Sequence, residues 1–368
     1  MGANNRFSVE NTPDFDRRIQ VEMFEQPRLA KIGVFCSRRD QEACRTFMDT
    51  LKKCVDTFNY PMDQPREFLI DGREFSDWED QFRKVLNEDV QAVILLLPGK
   101  KKNSPFYDDC KHFLLTKFPI PSQVVLVSTI LAGKNLRSII NKVLIQICAK
   151  VGGTPWTLTD FPFTDRPTMV VGIDVFHRSN MRKDSLLAYC ATVNRHLSRY
   201  WSTVDVHLGE EMGVSIQSAV KRSITEFRNI NGVFPHNIIV YRDGVSESQR
   251  KTLKETEVGA FLRAFDELKN LGMPEKPRFI FVCVNKRMTA KFFNGDNLQR
   301  DGNLTNPEQG TVIDSEVTSG NDFYLISQKT TQGSAAPTHY FVLSYCVNKD
   351  NQYVEEPPEN MPEQVLRQ

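Results

Sequence analysis

The sequence predicts an α/β protein with two domains, and three observations lead to this prediction. Its 368 residues are enough for about two domains of ordinary size. Apolar runs of strand length alternate with amphipathic helical stretches from Lys31 to Lys150. The segment from Gly152 to Thr168 has three prolines and no hydrophobic periodicity, so we place the domain boundary there. The predicted division is a lead-in over residues 1–30, a first domain over 31–153, a linker over 154–167 and a second domain over 168–368.

In the first domain, the predicted strands are separated by helices. Lys31 to Cys36 is a run of strand length, whereas Asn135 to Lys150 is strongly amphipathic and stops at Gly152-Gly153, as helices often do. Strands that alternate with helices imply a parallel sheet covered by those helices. The predicted strands are residues 31–36, 92–97 and 123–127, and the predicted helices are 41–58, 78–87, 104–115 and 135–150.

The second domain opens with a different order of elements. Three strand-like runs with short connections come first, at residues 168–176, 186–193 and 200–206. A helix, a strand ending in Tyr-Arg-Asp, a long helix and another strand follow at 215–229, 238–243, 246–270 and 278–284. This is the element order of the ribonuclease H fold. The tail from Asn351 to Gln368 is rich in Glu, Gln and Pro, so we expect it to be loosely ordered.

Composition limits the kind of protein this is. The formal net charge is only +1, so a polyanionic partner would have to be held by a local basic patch. The longest apolar run, Ala92 to Leu97, is too short to cross a bilayer, and the polar N-terminus does not resemble a secretory signal. Eight scattered cysteines without a CxxC pair favour a reducing compartment over a zinc site or a disulfide framework. We therefore expect a protein of the cytoplasm, including its granules, or of the nucleus, and not a secreted one.

Two acidic residues in the second domain each follow an apolar strand. Asp174 lies in MVVGIDVFH, and Asp243 ends HNIIVYRD. The ribonuclease H order makes these strands neighbours, so both carboxylates are expected at one edge of the sheet. There they would repel each other unless a cation lies between them, and Mg²⁺ or Mn²⁺ suits such ligands better than zinc. The simpler alternative is that each acid only caps a strand or turn.

Polar residues in the first domain are spaced to share helix faces. Tyr107 and Lys111 are four residues apart, and Lys142, Gln146 and Lys150 follow the same spacing on another helix. A phenol, an amide and ammonium groups that converge would hold a phosphate. Spacing alone favours the alternative that these are solvated helix faces.

Five motifs follow one another along the chain, and together they are specific. They are VGID, YRDGVSESQ, NKRMTAKFF, GTVIDSEVT and PTHY. With them, the sequence resembles the MID and PIWI domains of Argonaute-family proteins, and the Piwi clade most of all, over nearly all of residues 31–350. The resemblance implies a Rossmann-like MID domain followed by a ribonuclease H-like PIWI domain.

The resemblance also implies a guide-directed "slicer" endonuclease with an Asp-Glu-Asp-His set. The two aspartates fall on Asp174 and Asp243, and the histidine of the Pro-Thr-His-Tyr motif falls on His339. The glutamate, carried on a mobile loop, falls on Glu211, with Glu210 as the alternative. Asp174, Asp243 and His339 would hold Mg²⁺ or Mn²⁺. In a two-metal site one ion activates water and the other stabilises the leaving 3′-oxygen.

In the first domain, the resemblance implies a pocket for the 5′-phosphate of a guide RNA. Gln146 stands where Argonautes of the microRNA type carry a lysine, and Piwi proteins compensate for that missing charge with Mg²⁺. Further cations would hold the guide backbone. The implied phosphate ligands are Tyr107, Lys111, Gln123, Gln146 and Lys150, and the implied backbone contacts are Lys286, Arg287 and Lys291.

The sequence departs from the family in its extent. It stops at Gln368, whereas the family continues with further helices and a C-terminal carboxylate that closes the phosphate pocket. PAZ and N-terminal domains are also missing from it. We therefore expect either a natural short form or a part of a longer chain, with the PIWI domain truncated at its C-terminal end.

These observations lead to one main interpretation and two alternatives. The main one is a small-guide-RNA (piRNA-like) silencing protein that cuts guide-paired target RNA and associates with silencing-complex proteins, without a membrane span. The second is a module that holds guide and target and recruits partners without cutting. An unrelated ribonuclease H-like nuclease or transposase, the third, leaves the phosphate residues of the first domain unexplained.

Overall fold

The structure is a computed structural model that divides into two compact units, Met1–Leu158 and Thr159–Gln368. The division falls inside the segment that the sequence predicts to be a linker. The structure describes residues 21–72, 74–86, 89–99, 104–158, 166–177, 184–208, 212–295, 304–330, 332–350 and 352–357.

The first unit is a parallel sheet with helices on both faces. Its elements are β1 (Ile32–Ser37), α1 (Gln41–Phe58), β2 (Arg66–Ile70), α2 (Phe75–Val85), β3 (Ala92–Leu97), α3 (Pro105–Thr116), β4 (Ser122–Leu126), α4 (Val127–Leu131) and α5 (Leu136–Lys150). The strand order is β2-β1-β3-β4, with all neighbours parallel. Strands β1 and β3 are buried on both faces, because α1 and α5 cover one face while α2 and α3 cover the other. Ser104 caps α3 by accepting a hydrogen bond from the Tyr107 amide at 3.3 Å.

The second unit is a mixed sheet with its helices on one face. Its elements are β5 (Thr168–His177), β6 (Asp184–Thr192), β7 (Tyr200–Leu208), α6 (Met212–Asn231), β8 (Asn237–Asp243), α7 (Arg250–Leu253), α8 (Gly259–Asn270), β9 (Arg278–Asn285), β10 (Val312–Ile313), β11 (Asp322–Leu325), β12 (Thr338–Lys349) and β13 (Gln352–Glu355). The strand order is β10-β11-β12-β9-β8-β5-β6-β7, and β13 pairs with β12. The pairs β5–β8 and β8–β9 are parallel and the others are antiparallel, as the ribonuclease H order requires.

Helices α6 and α8 pack on one face of this sheet and form the main core. Their apolar stripes, which include Ile216, Phe227, Phe261 and Phe265, contact Ile238 and the strands around it. The predicted long helix is interrupted, because Lys254–Val258 forms a π-helical turn between α7 and α8. None of the helices in the described part of the chain is long and apolar enough to span a membrane.

The C-terminal part of the chain is more regular than the sequence suggests. Strand β12 is 12 residues long and pairs with β9 from His339 to Cys346, and β13 folds back on it through Asp350, whose φ is 50°. The expectation of loose order was therefore wrong for residues 352–355, because backbone pairing with Cys346 to Lys349 fixes them despite their polar sequence. The rest of that tail, from 358 onward, lies outside the described residues.

Candidate nuclease and phosphate-binding sites

The two predicted aspartates come together on adjacent parallel strands, Asp243 as the last residue of β8 and Asp174 within β5. Ile173 on β5 pairs with Arg242 on β8. The residues that follow them, Asp174 and Asp243, are therefore neighbours. Ile173 and Arg242 face the buried helical side, being 2% and 6% exposed. Because side chains alternate along a strand, both carboxylates lie on the opposite face, where Asp174 is exposed and Asp243 is partly exposed. We name these two residues the acid pair.

The chain turns sharply immediately after Asp243. Gly244 has φ 76°, a left-handed conformation that glycine adopts without strain, and its amide donates to the Val284 carbonyl at 3.0 Å. Asp243 is therefore held at the carboxyl end of a central strand, the position where open α/β sheets place their chemistry.

A lysine forms an ion pair with one of the two carboxylates. Lys286 Nζ lies 2.7 Å from Asp243 Oδ2. Hydrogen bonding to Asp243 raises the pKa of Lys286, and the charge of Asp174 adds to the rise. The Lys286 side chain is 65% exposed and that of Asp243 is 35% exposed. The resemblance assigned Lys286 to the guide backbone, whereas the structure places its ammonium group on the acid pair.

A buried ion pair lies beneath Asp243 on the helical side of the sheet. Arg242 Nε donates to both carboxylate oxygens of Glu257, at 3.1 and 3.0 Å, and the two side chains are 8% and 0% exposed. Burial raises the pKa of Glu257, and Arg242 partly offsets the rise. Arg242 Nη1 also donates to the Asp243 carbonyl oxygen at 2.5 Å. The pair therefore fixes the backbone from which the Asp243 carboxylate projects.

His339 is not brought to the acid pair. Its Nε2 lies 2.7 Å from Asp322 Oδ2, and its ring stacks on Tyr324 with centroids 4.5 Å apart. The next residue, Tyr340, pairs with Val284, which in turn pairs with Asp243, so Tyr340 lies on the face of the acid pair. By alternation His339 points to the other face, where it is 7% exposed. The predicted metal role of His339 thus has no support from its contacts, which are those of a buried structural residue.

The structure does not test the predicted roles of the remaining nuclease and guide-backbone residues. Glu211 and its alternative Glu210 lie outside the described residues. Arg287 and Lys291 are exposed in the irregular segment after β9, and their contact with a guide backbone stays a prediction. Within the described ranges, no group of three or more His, Cys, Asp or Glu side chains is arranged to hold a metal ion.

The predicted phosphate residues of the first unit converge on the start of β4. Lys111 Nζ donates to the Ser122 carbonyl oxygen at 3.2 Å and to its hydroxyl at 2.6 Å. Lys150 Nζ donates to the same carbonyl oxygen at 2.7 Å and to Gln123 Oε1 at 2.7 Å. Burial lowers the pKa of Lys111. Two ammonium groups that share one carbonyl oxygen repel each other, and an anion between them would relieve that repulsion.

The other two predicted phosphate ligands occupy the helices that carry these lysines. Tyr107 is half-buried one turn before Lys111 on α3, and Gln146 is exposed one turn before Lys150 on α5. Their direct contact with a phosphate stays a prediction.

Three residues that contact the residues of these sites were not predicted from the sequence. Ser122, Glu257 and Asp322 have no motif of their own, and each acts on a predicted residue from another element. Glu257 did carry a signal, because it occupies a core position of its helix between Leu253 and Phe261, each four residues away. A charge at such a position indicates a buried ion pair.

The fold and the acid pair define a ribonuclease H-like domain that follows a Rossmann-like domain. The family model described as the Piwi domain matches residues 92–351. The chain belongs to the Piwi family, and the predicted fold and family are confirmed. It is 32% identical over 314 residues to Piwi-like protein 1 of Gallus gallus, a match that covers 83% of this chain and 34% of that protein.

Solved structures agree with this assignment. Drosophila Piwi is similar with a TM-score of 0.83 and 25% identity, over 100% of this chain and 48% of that chain. Kluyveromyces polysporus Argonaute with a guide RNA is similar in fold, with a TM-score of 0.76 and 16% identity over 94% of this chain and 42% of that one. The chain spans about a third of the length of the curated Piwi relatives that it matches.

Proposed function

We propose that this chain binds a small guide RNA by its 5′-phosphate and cuts target RNA paired to that guide. The observation that carries the proposal is the position of Asp174 and Asp243, side by side on adjacent parallel strands and on the same face of the sheet, with Asp174 exposed and Asp243 partly exposed. Support for guide binding comes from the lysines that converge on Ser122 and from the fold shared with an Argonaute that holds a guide RNA.

The acid pair fits a hard divalent cation such as Mg²⁺ or Mn²⁺. Carboxylate oxygens are the ligands that these ions prefer, and Asp243 already attracts a cation in the form of the Lys286 ammonium. When bound, Mg²⁺ or Mn²⁺ supplies an activated water and stabilises the charge that develops on the leaving oxygen. Asp174 and Asp243 would hold the ion, and the Arg242–Glu257 pair would keep Asp243 in place.

Guide binding in the first unit follows from charge and hydrogen bonding. Lys111 and Lys150 would donate charge-assisted hydrogen bonds to the phosphate oxygens, and Gln123 would orient Lys150 through their 2.7 Å hydrogen bond. The complementary target RNA, the silencing-complex proteins and a cytoplasmic or nuclear location belong to the same proposal.

A second candidate is a module that holds guide and target without cutting. The observation that favours it is the hydrogen bond of His339 to Asp322, which engages a residue that the resemblance assigns to the catalytic set. This candidate shares the phosphate pocket with the first, so only a cleavage measurement separates them.

Cleavage by the guide-loaded chain tests the proposed function directly. With a 5′-phosphorylated guide RNA and a 5′-labelled complementary target, we expect one cut opposite the guide in Mg²⁺ and none in EDTA. A target without complementarity should stay intact. Persistent binding of the paired target without any cut in Mg²⁺ or Mn²⁺ would establish the second candidate instead.

Binding of the guide phosphate is expected to depend on Lys111. The chain should bind a 5′-phosphorylated RNA at least about tenfold more tightly than the 5′-hydroxyl form, since one charge-assisted hydrogen bond contributes roughly 1.5–3 kcal/mol. Lys111→Met should remove most of that preference, as measured by fluorescence anisotropy at fixed salt. Lys117→Met, which changes an exposed lysine just after the same helix, should keep it. Equal affinities of the wild-type chain for the two RNAs would contradict the pocket.

A further inference from the structure

The contact between Lys286 and Asp243 has the geometry of a counter-ion at the acid pair. Lys286 lies two residues after Val284, which is the neighbour of Asp243 on β9, and its side chain reaches back to Asp243 Oδ2 at 2.7 Å. Asp174, the next residue across the sheet, adds its own charge to the attraction on this ammonium. One lysine thus neutralises part of the repulsion between two adjacent carboxylates.

Two features make this ion pair easy to open. The Lys286 side chain is 65% exposed, so its ammonium group can be hydrated as soon as it leaves Asp243. Exposed ion pairs contribute little to stability, so little is lost when this one breaks. The Arg242–Glu257 pair behaves differently, because both of its charges are buried. Separating them would leave each charge buried without a partner. The backbone of Asp243 is therefore fixed, whereas the cation over its carboxylate can exchange.

We propose that Lys286 is the resident counter-ion of the acid pair and competes with a divalent cation for the same carboxylate oxygens. The proposal rests on the proposed function in one respect, namely that the acid pair is a metal site. Lys286 then sets the metal concentration at which the site fills, and it is released into solvent when the site is filled. A released ammonium beside the acid pair is free to contact the phosphate backbone of a bound RNA, the role that the family resemblance implies for this residue.

Direct measurement of Mn²⁺ binding tests the competition without any need for cleavage. The proteins are the wild-type chain, Lys286→Met, Lys286→Arg and Asp243→Asn, titrated with Mn²⁺ at constant ionic strength and followed by electron paramagnetic resonance. Lys251→Met on α7 is the matched control, since it removes the same charge from another exposed lysine of the same unit. Asp243→Asn shows which part of the signal comes from the acid pair.

The expected result is a tighter Mn²⁺ complex when the ammonium is removed. Lys286→Met should lower the Kd by about threefold to tenfold, the size expected for removing one screened charge a few ångströms from a divalent ion. Lys286→Arg and Lys251→Met should bind like the wild type, and Asp243→Asn should lose the site.

Two different outcomes would overturn two different claims. An unchanged or higher Kd in Lys286→Met, with binding still lost in Asp243→Asn, would reject the competition while leaving the metal site intact. Mn²⁺ binding that Asp243→Asn does not weaken, or no saturable binding by the wild type and Lys286→Met alike, would reject the metal site and the competition together.

Discussion

Asp243→Asn is expected to slow the cleavage of guide-paired target RNA by about a thousandfold or more. When residues act as one catalytic unit, the loss of a single member costs nearly as much rate as the loss of the whole unit. Asp174→Asn should have a similar effect, since the two carboxylates are neighbours on one face of the sheet. Single-turnover rates in Mg²⁺, with the guide-loaded chain in excess over a labelled target, measure the loss.

The same variants should leave guide binding within about twofold of the wild type, because the lysines that converge on Ser122 belong to the other unit. Asp266→Asn is the matched control. It changes a carboxylate of α8 that pairs with Lys276 on the helical side, and the chain should cut at the wild-type rate. A wild-type rate in either Asp174→Asn or Asp243→Asn would remove the acid pair from the chemistry.

Glu257→Ala is expected to lower the free energy of unfolding by roughly 3–5 kcal/mol, because it leaves the Arg242 guanidinium buried without its carboxylate. The side chain of Arg242 is only 8% exposed and directs Nε to both oxygens of Glu257, so water cannot readily replace that partner. Denaturant unfolding followed by circular dichroism, with the transition of the second unit resolved, gives the change in free energy.

An exposed ion pair of the same region supplies the control for Glu257. Glu267 on α8 pairs with Lys221, and their side chains are 45% and 36% exposed. Glu267→Ala should therefore cost much less stability than Glu257→Ala. Replacing Arg242 and Glu257 together by Met should recover much of the loss, since two apolar side chains leave no buried charge. A loss in Glu257→Ala as small as that in Glu267→Ala would show that the buried pair is not a stabilising unit.

Most of the predicted elements of the fold are present, and the missed ones have identifiable physical causes. The buried central strands β1, β3 and β8 were predictable from local sequence, because burial on both faces requires continuous apolar runs. Strand β2 was missed since only Ile70 in it is buried. Strand β12 was missed because its order depends on pairing with β9, whose paired residues lie 54 to 67 positions earlier in the chain, and not on a local period. The π-helical turn at Lys254–Val258 likewise has no periodic signal.

The candidate sites show the same division between local and long-range information. Motifs placed Asp174, Asp243, Lys111 and Lys150, and the structure brings each aspartate to the other and each lysine to Ser122. The position of His339 in the sequence said nothing about which face of the sheet it would take. That face follows from the register of β12 on β9, and a shift of one residue would reverse it.

The sequence by itself determined the fold class, the family resemblance and the placement of two aspartates on neighbouring strands, because periodicity and motifs are properties of contiguous residues. Only the tertiary structure decided which partners those residues take. Lys286 reaches Asp243 across 43 positions, and Glu257 reaches Arg242 across 15. Pairings over such separations depend on strand register and on the packing of helices against the sheet. For that reason the contact of Lys286 with the acid pair, and the identity of Arg242 as the partner of Glu257, could be found only in the three-dimensional structure.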